Sequence, residues 1–268
     1  VRKKTAWIAA MLVVAAALVC VVNSRIALNP EVIFGGFDSV FVRGNELENT
    51  EEEDKAKAEK ENDSSDYSDL DFPNIDINAW CFILINDSHL VKDYDPEVVN
   101  YPDTEVYFDE DAYYQLVGLI EAAKDAGFSP YISNGYISYT AQQQLFNAKA
   151  IEISEKQKCS FEDAQTLAEK EIMLPGTSDH QSALAVDITD KQYDVYDYSK
   201  MDMEFFAWLD KHCAEYGFIK RYPSNKSSIT GHDEPWHYRY VGAASAKFIT
   251  ENGLCLEEFV EHYDYQKS

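Results

Sequence analysis

PGTSDHQSALAVDI, residues 175–188, passes from a small, polar turn into an alternating apolar run. The continuation ALAVDIT (183–189) has the two-residue period of a β-strand and carries Asp187, seven residues after His180. A second stretch, HDEPWHYRYVG (232–242), ends in another strand-like run and places Glu234 three residues before His237. The chain has six histidines, so the neighbours of each are informative. Two imidazoles and one carboxylate make three ligands suited to Zn2+ and leave a fourth tetrahedral position for water. Glu234 would stand beside that water, able to take its proton and hand it to a leaving amine. Pro235 and Trp236 would fix the turn and wall the site. A His-x6-Asp or Glu-x-x-His pair is by itself a common coincidence, and it is the two clusters together that carry weight. His89, His212, His232 and His262 read as surface or structural residues, and Asp190, Asp194 and Asp233 as solvated loop acids.

Working outward, WCFILIN (80–86) reads as a buried strand. DEDAYYQLVGLIEAAKDAG has apolar residues Tyr113, Leu116, Val117 and Ile120 at helical spacing, an acidic start and a stop at Gly127. FSPYISNGY follows as a strand entering a loop, and a second helix begins near Thr140. A third lies in SFEDAQTLAEKEIM, with Ser160 and Asp163 as a capping arrangement. MDMEFFAWLDKHCAEYG is a helix closed by Gly217. Helices fall early and strands late without a βαβ rhythm, which predicts a single α+β domain with a mainly antiparallel sheet and flanking helices.

Residues 1–24 differ from the rest. Arg2, Lys3 and Lys4 precede TAWIAAMLVVAAALVCVV, uncharged through Val22, long enough to span a bilayer with the basic end in the cytoplasm. The expectation is a single-pass membrane anchor with the remainder outside the cytoplasm; the alternative is a signal cleaved near Ser24, leaving a secreted protein. Residues 25–74 are a short stalk followed by an acidic linker. Between residues 45 and 71, twelve acidic residues face three lysines, a composition that buries too little to offset its ordering entropy and stays extended. Residues 75–268 form the compact domain. A formal net charge of −25 repels phosphates and excludes general nucleic-acid binding. Five cysteines without a C-x-x-C pair are not a disulfide framework.

The segments PGTSDHQSALAVDI and GFIKRYPSNKSSITGHDEPWHYRYVG resemble the two metal-site segments of the VanY-type D-alanyl-D-alanine carboxypeptidases. NAWCFILINDSHLVKDYDPEVV and YISNGYISYTAQQQLF resemble that family's opening strand and substrate loop, in collinear order from about Ile75 onward. The resemblance implies a VanY/hedgehog-like zinc peptidase fold over 75–268. It implies that His180, Asp187 and His237 hold Zn2+, that Glu234 is the catalytic base, and that Ser178, Gln142 and Tyr136 contact substrate. The implied reaction is removal of a C-terminal D-amino acid from peptidoglycan stem peptides, which suits an exported, membrane-tethered domain. Two segments depart from the family. Its loop S-G-Y-R-S is here Asn134-Gly135-Tyr136-Ile137-Ser138, so Ile137 stands where the family's arginine polarises the scissile carbonyl; losing one such donor typically costs about 10²–10³ in rate. The family's S-x-H-x-x-G becomes Ser178-x-His180-x-x-Ala183, tolerable unless the backbone needs a positive φ. Arg221 or Arg239 could reach in to replace the missing cation. The alternatives are a catalytically impaired zinc module that binds stem peptides, and an L,D-carboxypeptidase.

Overall fold

Four stretches of extended chain assemble into one antiparallel sheet whose centre carries the histidines and acids singled out above. A computed structural model of the chain describes Tyr67 and residues 70–267; the expectations for residues 1–24, and for nearly all of 25–74, lie outside them. Asp71–Ser268 is one compact unit. Its strands are β1 (Val98–Asn100), β2 (Tyr107–Asp109), β3 (Tyr131–Asn134), β4 (Ala185–Thr189), β5 (Phe218–Tyr222) and β6 (Glu234–Tyr240). Its helices are α1 (Tyr113–Asp125), α2 (Tyr139–Gln157), α3 (Phe161–Ala168), α4 (Met203–His212), the single turn α5 (Ser227–Thr230), α6 (Ala243–Glu251) and α7 (Leu256–Lys267). β1 and β2 pair as a hairpin, and the main sheet runs β3-β4-β6-β5, every pair antiparallel. The α+β class expected from the sequence is the observed one.

The helices begin and end where their local chemistry directs. α1 buries Leu116, Leu119, Ile120 and Ala123. It ends in a Schellman arrangement: Gly127 takes φ +94°, its N–H reaches Lys124 O, and Phe128 N–H reaches Ala123 O. Ser138 caps α2, its Oγ accepting from Ala141 N at 3.2 Å; Ser160 caps α3 by accepting from Asp163 N at 3.1 Å. The α2 stripe Phe146, Ala150 and Ile153 packs on Ala164 and Ala168 of α3. α4 is capped by Asp202, passes into a 3-10 turn (Cys213–Tyr216), and stops at Gly217 with φ +84°. Leu184, Val186 and Ile188 of the β4 region, with Tyr238 of β6, join Leu116, Leu119, Phe205 and Leu209 in the main core. The alternate residues of β4 and β6 are thereby turned to the sheet's other face.

The expected strand at 80–86 does not form. Trp80–Phe82 is a 3-10 turn and residues 83–85 have no strand partner. The segment's carbonyls have another use: Cys81 O and Ile83 O accept from Arg239 Nη2 at 3.3 and 2.6 Å, while Phe82, Leu84 and Ile85 are buried. β5 and the β1–β2 hairpin were not anticipated. Lys220 and Arg221 interrupt the apolar alternation of β5, and the hairpin strands are only three residues long. Cys81, Cys159, Cys213 and Cys255 are all free thiols, and burial pushes those of Cys213 and Cys255 up to about 12.

Candidate metal centre

The sheet register builds the centre of the site. Asp187 of β4 sits directly between Asn134 of β3 and His237 of β6, so one cross-strand row presents an amide, a carboxylate and an imidazole on the face opposite the main core. His180 joins them from the 3-10 turn Asp179–Ser182, which immediately precedes β4. That turn closes on Ala183, which takes φ +62°. The backbone therefore does require the left-handed conformation here, and alanine occupies it at a steric cost that glycine would not have.

The β1–β2 hairpin pins both site loops. Tyr107 O accepts from Tyr136 N at 2.7 Å, and Asp109 N donates to Ala183 O at 3.0 Å. Between them Ile137 N donates to His180 O at 3.2 Å. A Cβ on Gly135 would lie 2.4 Å from Tyr107 O, so only glycine permits this approach of loop and hairpin.

Among the described residues, one cluster could hold a metal ion: His180, Asp187 and His237, with ligand atoms all within 4.8 Å of one another. His180 Nε2 is 3.4 Å from Asp187 Oδ2, and His237 Nδ1 is 3.1 Å from Asp187 Oδ1. Two ligands at about 2.0–2.1 Å from a tetrahedral zinc lie about 3.3–3.4 Å apart, close to both distances. Despite their proximity, Asp187 Oδ1 and His237 Nδ1 form no hydrogen bond. Buried polar atoms without partners need an explanation, and two imidazoles with a carboxylate are a donor set that fits zinc. Burial disfavours the Asp187 charge, but His180 and His237 outweigh it and hold its carboxyl well below the usual range.

Glu234 opens β6, with Oε2 3.4 Å from His237 Nδ1 and its side chain 28% exposed, so it borders the cluster from the solvent side. Ser178 is buried two residues before His180. Gln142 is buried on α2, its Nε2 donating to Met173 O at 2.7 Å. Tyr136 lines a cleft of about 300 Å3 with Val106, Ile132 and Asn134. A second concavity, about 370 Å3, lies across β3 between Tyr131, Ser133, Tyr193 and Tyr196, where Tyr196 Oη donates to Ser133 Oγ at 2.5 Å and its ring packs on Trp236. Both hollows are lined by β3, and neither is lined by His180, Asp187 or His237.

Neither arginine considered as a replacement cation is available. Arg221 and Arg239 are fully buried. Arg221 makes a two-pronged pair with Glu257 of α7 at 2.7 and 2.8 Å. Arg239 bonds Asp179 and the 81–83 carbonyls. Asp179, which the sequence reading passed over, is the hub. It is fully buried, meets both arginines, and its Oδ2 lies 3.4 Å from His237 Nε2. Burial would push its carboxyl up, but Arg239, His237 and Arg221 hold it well below the usual carboxylate range. A carboxylate behind a metal-binding imidazole fixes which ring nitrogen carries the proton and leaves the other for the metal. The available signal was an arginine two residues beyond His237 in a strand buried on both faces, which demands a buried acid somewhere in the fold.

The VanY family, described as D-alanyl-D-alanine carboxypeptidase, matches residues 105–243. A D-alanyl-D-alanine carboxypeptidase of Enterococcus faecalis is 37% identical over 189 residues, covering 69% of this chain and 67% of that protein. Among solved structures, a mutant of the vancomycin-resistance D,D-pentapeptidase VanY from a VanB-type cassette, in complex with Zn(II), is 36% identical with TM-score 0.57; the match covers 68% of this chain and 99% of that one. The LD-carboxypeptidase LdcB is 31% identical with TM-score 0.51, covering 66% of this chain and 78% of that one.

Proposed function

The chain belongs to the VanY family of D-alanyl-D-alanine carboxypeptidases, and from that membership we propose that it is a zinc-dependent carboxypeptidase removing a C-terminal D-amino acid, D-Ala, from peptidoglycan stem peptides. The observation that carries this reading is the buried His180–Asp187–His237 cluster with Glu234 at its exposed rim. A zinc ion held by those three residues supplies Lewis acidity toward a carbonyl oxygen and makes water acidic near neutral pH. Glu234 takes the proton of the attacking water as its oxygen adds to the carbonyl carbon. The same carboxyl then returns that proton to the amine as the C–N bond breaks, giving a shortened stem and free D-Ala. Asp179 holds His237 by Nε2, so Nδ1 faces Asp187 and Glu234. Ser178, Gln142 and Tyr136 are proposed to contact the stem peptide. Residues 1–24 would tether the domain to the membrane and 25–74 would space it toward the wall.

The test is incubation of the zinc-loaded chain with penta- and tetrapeptide stems, with products read by mass. Release of D-Ala, abolished by Glu234→Gln, supports the proposal. Binding without release supports a stem-peptide-binding module instead, a reading favoured by Ile137 and by the burial of both arginines. Release from tetrapeptide alone identifies an L,D-carboxypeptidase, in line with the likeness to LdcB.

A further inference from the structure

Tetrahedral addition to a carbonyl places negative charge on its oxygen, and a fixed hydrogen-bond donor aimed at that oxygen is among the largest catalytic contributions. Ile137 has no donor, and the buried arginines are engaged elsewhere. One neutral donor does face the cluster. Asn134 Nδ2 lies 3.4 Å from His180 Nε2, one of the cluster's metal-facing atoms. Its orientation follows from its other contact: Oδ1 accepts from Gly135 N at 3.2 Å, which places the oxygen toward the loop and the NH2 toward the site. The backbone carrying it is held on both sides, by β4 through Asp187 and by the hairpin through Tyr136 and Tyr107. Once His180 Nε2 is occupied by a metal, that amide N–H has no acceptor among the described side chains and is free for a ligand. Asn134 also borders the 300 Å3 cleft, so the amide sits between that cleft and the cluster.

We propose that Asn134 is a catalytic residue whose Nδ2–H donates to the scissile carbonyl oxygen and to the oxyanion formed on it, supplying the donor that Ile137 lacks. This rests on the carboxypeptidase reading above and adds a residue to it. The experiment compares wild type, Asn134→Ala, Ile137→Arg and the double variant, all confirmed folded by circular dichroism. Three quantities are read: kcat for D-amino acid release, zinc affinity by chelator competition, and affinity of the zinc-loaded protein for a phosphinate mimicking the cleaved bond, or D-Ala-D-Ala if none is cleaved. The expected result for Asn134→Ala is a loss of about 10²–10³ in kcat, a similar loss in phosphinate affinity, and zinc affinity within about threefold of wild type. Ile137→Arg should restore activity far more in the Asn134→Ala background than it adds to wild type, the non-additivity expected of two groups serving one oxygen. If Asn134→Ala weakens zinc binding while the zinc-saturated protein keeps its kcat and phosphinate affinity, Asn134 only positions His180 and the proposal falls. If wild type releases no D-amino acid, the carboxypeptidase reading fails. The donor role then stands if phosphinate binding depends on Asn134, and falls if it does not or if the phosphinate does not bind at all. Should Asn134→Ala not fold, the wild-type and Ile137→Arg pair decides: a gain above tenfold in kcat on adding the arginine shows that no donor was in place and overturns the proposal.

Discussion

Replacing Asp179 with asparagine keeps the side chain's size and removes one negative charge from a fully buried position. Arg239 would lose its acid partner, Arg221 would keep only Glu257, and His237 Nε2 would face an amide whose flip is contested by two guanidinium groups. Removing one member of a buried ion pair costs about 3–5 kcal/mol, because the remaining charge stays desolvated. For a unit of roughly 200 residues each kcal/mol lowers Tm by about 2–4 °C, so the expected loss is about 6–20 °C. The assay is thermal unfolding of the metal-free chain at pH 7. The sign with pH follows from the direction of the shift: the Asp179 carboxyl is held below its unfolded value. Its contribution is therefore full above about pH 4 and disappears as pH falls through the folded value. The wild type should lose stability steeply in that acid range, and Asp179→Asn should start lower and fall less. A Tm within about 2 °C of wild type, or an unchanged acid profile, would refute the assignment of Asp179 as the charge hub.

Four further outcomes are expected. Ala183→Gly should be close to neutral, because relief of about 1–2 kcal/mol of left-handed strain offsets the lost buried methyl, about 0.8 kcal/mol, and glycine's extra backbone entropy, about 0.5–1 kcal/mol. Ala185→Gly, two residues on in β4 and equally buried, has no strain to relieve and should cost about 1–2 kcal/mol more than Ala183→Gly in chemical denaturation. Gly135→Ala should displace the loop from Tyr107 O and lower stem-peptide turnover while the zinc content of the purified protein stays at wild-type level. Stripping metal with a chelator should lower Tm by about 5–11 °C relative to protein held at about 100 times the zinc Kd, equivalent to about 2.7 kcal/mol of linkage, and readdition of zinc should restore it.

What the sequence made legible follows from the range of each interaction. His180, Asp187 and His237 were readable because each lies in a stretch whose local pattern already sets its direction, and β4 and β6 bring them together as expected. The helix ends at Gly127, Ser160 and Gly217 were readable for the same reason, since caps are local. The segment at 80–86 misled because its apolar side chains do seek the core, while its carbonyls answer an arginine more than 150 residues away, with no trace in the local alternation. Asp179 was hidden by its company: an acid in a small polar turn normally faces water, and only the fold reveals two buried guanidiniums against it. Ala183 illustrates a conditional expectation resolved by the backbone, whose positive φ is set by the turn that delivers His180.

The pairing of Arg221 with Glu257 bears on how the domain comes into being. Every residue of the metal cluster, and both arginines behind it, precedes α7 in the chain. Without α7 the two buried guanidiniums would share the single carboxylate of Asp179, an excess of buried positive charge that disfavours closing the sheet around His237. The last helix in the sequence therefore completes the charge balance behind the metal cluster.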